Sequence, residues 1–112
     1  VTPSDLTIFL KYNSVLAALL IRNGSVLEKA GSPEADIDGL IASLSLLMTE
    51  SGMIADRLRT RSIPMVFLEF ETRLLLIQPM DDDRLITIIT RTDANIGQIS
   101  YHLKKLKEKS KG

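Results

Sequence analysis

A chain of 112 residues bounds one domain, residues 1–112, large enough to bury a single core. Its 14 basic residues balance its 14 acidic ones, so no net charge carries it onto nucleic acid, and little repulsion opposes self-association. The absence of cysteine excludes disulfides, thiolate chemistry and a cysteine zinc site, and no apolar run is read as approaching the roughly 18 residues of a membrane span.

With 45% apolar and 25% charged residues the composition is that of an ordinary globular domain, expected in the cytoplasm. A chain that opens on Val1 instead of methionine is expected to have lost residues ahead of it. Thr2-Pro3-Ser4-Asp5 reads as a helix start, with a hydroxyl cap, a proline in the first turn and an early carboxylate; Leu6, Phe9 and Leu10 give it a short apolar stripe. Residues 15–21 are almost continuously apolar and run into Asn23-Gly24. That pair supplies the positive φ angles of a two-residue type I′ turn, so 25–30 is expected to return as a second strand.

Asp36 is placed to cap a long helix over 37–58. Strands follow at 65–70, 73–79 and 85–90, with Pro79 and Asp81–Asp83 marking the turn between the last two. Thr92 or Asp93 is expected to cap a final helix whose Ile96, Ile99, Leu103 and Leu106 recur at helical spacing. The order αββαβββα defines an α+β fold with one five-stranded antiparallel sheet, because strands joined by tight turns run antiparallel. Strands 15–21 and 74–77 are apolar on both faces, which places the long helix on one side of the sheet and the terminal helices on the other.

The long helix carries more apolar faces than one sheet can cover. Ile37, Leu40, Ile41, Leu44, Leu47, Met48, Ile54, Ala55 and Leu58 form the stripe expected on the sheet. Nearly opposite lie Gly39, Ala42, Ser43, Leu46 and Met53, small residues that admit a second helix and two larger ones that give it apolar contact. The partner reading of that face is a second copy of the helix across a two-fold axis; the bland reading is scattered exposed hydrophobes. In 65–70, Val66, Leu68 and Phe70 are expected on one side, Phe67 and Glu69 on the other. If this strand lies at the sheet edge, pairing with a second copy through Met65, Phe67 and Glu69 extends one sheet across two subunits.

No catalytic constellation, cofactor site or metal site emerges, and the chain is read as a non-enzyme. Asp81-Asp82-Asp83 lacks the spaced oxygen ligands of a calcium loop and reads as a solvated turn. His102, the single histidine, has no nucleophile or orienting group at a recognisable spacing. Arg57, Arg59 and Arg61 could touch a phosphate, or simply complement the negative end of the helix dipole. The lysines at 104, 105, 107, 109 and 111 lack interleaved aromatics and include Glu108, so they read as a helix end, with neither nucleic acid nor membrane insertion expected. No Gly-Lys-Ser/Thr phosphate loop is present.

In order and spacing, SVLAALLIRNGSVL, DIDGLIASLSLLM and LLLIQPMDDDRLITIITRTDANIGQISYHL together resemble the Roadblock (dynein light chain) family over nearly the whole chain. The opening helix departs from the family pattern, since Lys11-Tyr12-Asn13-Ser14 stands where a glycine-containing turn is usual. The resemblance implies a flat homodimer or heterodimer with paired long helices and a shared sheet. It also implies a partner, a Ras-like small GTPase, which members regulate or scaffold without hydrolysing nucleotide themselves. Profilin-like and longin-like domains share parts of this architecture, so adaptor and small-ligand sensor roles remain open beside GTPase regulation.

Overall fold

The computed structural model describes residues 1–81 and 83–111, the last of these without its side chain. Helix α1 (Pro3–Thr7) starts on a reciprocal capping box. Asp5 N–H donates to Thr2 Oγ1 at 3.3 Å and Thr2 N–H to Asp5 Oδ2 at 2.8 Å, so two end donors are satisfied at once. The helix then tightens into a 3-10 turn (Ile8–Lys11) that delivers the chain to β1.

Strands β1 (Val15–Arg22) and β2 (Ser25–Gly31) form the expected hairpin. Asn23 and Gly24 take φ of 47° and 80°, and Arg22 pairs directly with Ser25. A bulge then slips the register, Ile21 facing Val26 and Leu20 facing Glu28, which leaves Leu27 unpaired. Helix α2 (Ile37–Arg57) is capped by Asp36, whose Oδ1 accepts from Gly39 N–H at 3.2 Å. Strands β3 (Val66–Glu69), β4 (Leu74–Pro79) and β5 (Arg84–Thr90) follow, then α3 (Ile96–Lys111). The expected cap of α3 is corrected. Asn95 Oδ1 accepts from Gln98 N–H at 3.1 Å, while Asp93, too early to reach that donor, pairs with Arg91 instead.

All five strands run antiparallel in the order β2-β1-β5-β4-β3, which puts β2 and β3 at opposite edges and the most apolar strands in the middle. Side-chain alternation divides the core in two. Ala18, Leu20, Leu76, Ile86 and Ile88 pack with Leu6 and Phe9 of the α1 region and with Ile99, Leu103 and Leu106 of α3. Ala17, Leu19, Ile21, Leu75, Ile77 and Ile89 pack beneath Ile41 and Leu44 of α2. The architecture is therefore three layers, as the two-sided strands require.

Each face also holds a buried polar side chain, one bonded and one not. Gln78 Nε2 donates to Leu103 O at 2.6 Å, locking β4 to the middle of α3. Thr87 stands between Leu19 and Ile77 at the centre of the α2-facing side, and its Oγ1 is buried without a hydrogen-bond partner among the described residues.

Two expectations about α2 need correction. Ile54 and Leu58 do not rest on the sheet; they are 58% and 71% exposed. The inward line runs through Ile37, Ile41, Leu44, Met48 and Ala55, and at 3.6 residues per turn Ile54 and Leu58 lie roughly 60–100° round from it. Moreover, α2 is by length and composition apolar enough to cross a membrane. Its interleaved Ser, Thr and Gly break the visible run without adding charge, and the helix lies on the sheet of this domain.

Candidate interaction surface

Of the 21 residues of α2, Ile41, Leu44 and Ala55 are buried; the rest of the helix surface is half or fully open. On the side facing away from the sheet, Leu46 is 63% and Met53 48% exposed, with Ala42 and Ser43 also open to solvent. Covering these two side chains would recover about 25 cal/mol per Å² of apolar area, a gain the isolated domain forgoes. Gly39 has a reason within the chain: a Cβ there would meet Asp36 Oδ2 at 2.5 Å, so the missing side chain lets the cap close. The flank carries a further line that sequence reading misses, Leu40, Leu47 and Ile54 at seven-residue spacing, ending in Leu58. Periodicity alone merges it with the buried stripe; burial parts only Ile54 and Leu58 from it, since Leu40 and Leu47 pack against the core as Ile37 and Met48 do.

The two sheet edges differ in kind. The β2 edge is interrupted by its bulge and carries Glu28 and Lys29, devices that discourage pairing. The β3 edge is regular, and among the described residues no strand pairs with its outer side. Val66 and Leu68 turn toward the α2 side and are half-buried there. Phe67 points to the opposite face and is exposed, as are Glu69 and Phe70, while Met65 packs partly against the α1 and α3 core.

No protein-family model matches the sequence, and no curated protein matches it. Among solved structures the chain superposes on Myxococcus xanthus MglB with a TM-score of 0.85 at 17% identity, covering 95% of this chain and 88% of that one. A Roadblock/LC7 domain from Streptomyces avermitilis gives 0.85 at 15% identity, with 98% and 94% covered. The fold is that of a Roadblock/LC7 domain. The gliding protein MglB of Thermus thermophilus gives 0.80 at 20% identity, over 94% of this chain and 82% of that one.

Within this Roadblock/LC7 fold the three arginines are exposed at the end of α2, where they face the negative end of its dipole. Arg57 is the last helical residue. Arg59 adopts the left-handed conformation, φ 60°, in a Schellman ending: Thr60 N–H donates to Ala55 O and Arg59 N–H to Asp56 O, each at 3.0 Å. Arg61 borders an open cleft of about 610 Å³ between α2, at Ser45, Met48 and Thr49, and the turns that end β1 and β4. Of the three arginines, Arg61 alone borders this cleft.

The remaining candidates are structural. His102 lies against Phe9, ring centroids 4.7 Å apart, with Tyr12 Oη 3.5 Å from its Nδ1. Asp81 clamps the β4–β5 turn, accepting from Arg84 Nε at 2.8 Å and from the N–H groups of Asp83 and Arg84. The Arg84 guanidinium holds the Asp81 carboxyl well below the usual carboxylate range. Asp82 and the Lys111 side chain lie outside the described residues. Among those described, no three His, Asp or Glu residues are grouped to hold a metal ion.

Proposed function

We propose that this chain is a dimeric, non-catalytic regulator of a Ras-like small GTPase, with the surface of α2 and the edge of β3 as its contact regions. The observation that carries the reading is the pairing of an under-covered apolar helix with a regular, open strand edge on one small domain. A second copy would satisfy both: β3 edges would pair, and the helices beside them would form one surface. A specific interface needs roughly 1,200–2,000 Å² in all, which a lone four-residue edge does not supply and an edge plus a helix does. The likeness to two MglB proteins, one of them a gliding protein, adds support for a role in that kind of system.

On this reading Ala42, Ser43, Leu46, Met53, Phe67 and Glu69 make the contacts with the copy or the GTPase; Gly39 and Met65 border them, and Arg57, Arg59 and Arg61 are peripheral. Regulation then works by preference: a surface that binds one nucleotide state of the GTPase tenfold more tightly shifts its equilibrium by about 1.4 kcal/mol, with no donated catalytic group.

The solution mass of wild type beside Leu46→Asp and Phe67→Asp tests the dimer. We expect a wild-type dimer at tens of micromolar and at least ~10-fold weaker association in each variant; a wild-type monomer overturns self-pairing. Turnover by a candidate GTPase with and without the protein tests regulation. Binding with unchanged turnover would replace the regulator reading with that of an adaptor.

A further inference from the structure

The second half of α2 and the connector behind it are covered far less by the rest of the domain than the first half. Across residues 52–64, all of them described, Ala55 is the single buried residue, whereas residues 37–48 place Ile41 and Leu44 in the core with Ile37, Leu40, Leu47 and Met48 packed around them. The change falls at Gly52. A Cβ built there meets nothing within 4 Å although the residue is half-buried, so its missing side chain relieves no clash. Glycine inside a helix weakens it, and the Ser51-Gly52 pair is the sort of step at which long helices bend. The far end of the segment is set by Pro64, and Arg59 within it holds a left-handed backbone that costs a non-glycine residue free energy. Beside it lies unfilled room, the 610 Å³ cleft bordered by Arg61, Ser62 and Ile63 on one side and by the β1 and β4 ends on the other.

We infer that residues 52–64 form an arm that opens independently of the rest of the domain, hinged at Gly52. It carries Met53, Ile54 and Leu58 exposed, together with Arg57, Arg59 and Arg61. The device needs neither the dimer nor the GTPase to exist. It rests on the packing of one chain.

Amide hydrogen exchange on the free wild-type protein and on Gly52→Ala reads the arm directly. In wild type, amides of residues 53–58 are expected to exchange at least ~10-fold faster than those of residues 41–48. Alanine should slow the first group about fivefold, the tenfold-per-1.4-kcal/mol equivalent of its helix-propensity advantage, and leave the second unchanged. Equal protection along the whole helix in wild type, or a Gly52→Ala effect spread evenly over 41–58, overturns the hinge. A self-paired α2 would protect both halves, so failure of the dimer leaves the ratio between them intact as the readout.

Discussion

Thr87 is the residue whose chemistry fits its surroundings least. Its hydroxyl is buried under α2 between Leu19 and Ile77 and makes no hydrogen bond among the described residues, which leaves its desolvation cost without an offset. Thr87→Val keeps the shape and removes the polar atom, so it should raise the unfolding free energy by about 1 kcal/mol in urea titrations. Two carboxylates give the opposite kind of effect. Asp5 is held below its ordinary value by the Thr2 N–H and then by Lys109, and Asp81 is held there by Arg84. A depressed folded-state pKa contributes stability that is present above the unfolded value of about 3.9 and is lost as pH falls below it. The urea midpoint should therefore drop as pH is lowered from about 5 toward 3, and Asp5→Asn combined with Asp81→Asn should flatten that slope while lowering the neutral-pH midpoint. Because Asp81 is partly solvated, its share of the slope is expected to be modest.

At the scale of elements, the end of α2 offers the clearest experiment. Arg59 stands where a Schellman ending favours glycine, so Arg59→Gly should stabilise the domain by about 0.5–1 kcal/mol and raise its melting temperature. A loss of stability would mean that the arginine side chain holds the helix end by contacts that outweigh its backbone conformation. Most elements are legible in the sequence because local chemistry decides them. Asn23-Gly24 dictates the first hairpin, Asp36 the start of α2, and strands apolar on both faces the three layers. The cap of α3 is not legible in the same way, because Thr92, Asp93 and Asn95 are all able caps, and which one closes the turn depends on where α3 docks. Ile54 and Leu58 escape for a related reason. Helical periodicity records that a residue is apolar and where it lies round the axis, but the width of the face that a sheet covers is set by tertiary packing. The candidate surface is half legible: Leu46 and Met53 are exposed as read from the pattern, whereas Gly39 answers to its own cap.

The whole molecule is a sheet with one guarded edge and one open edge, under a helix it only partly covers. That asymmetry is why we expect self-association to be sensitive to Phe67→Asp at β3 and insensitive to an equivalent charge at Leu27, the bulged residue of the β2 edge; comparing the two solution masses checks it. The strand order also governs how the chain reaches this state. β1 and β5 are partners at the middle of the sheet, yet Leu20 meets Ile86 across more than half the length of the polypeptide. The β1–β2 hairpin and the β4–β5 pair close over short spans, while the seam that unites them waits for a long loop to shut. Folding should therefore be slow for a domain of this size, limited by that single closure. A nascent chain emerging from the ribosome must hold an apolar β1 without its central partner until β5 has followed it out.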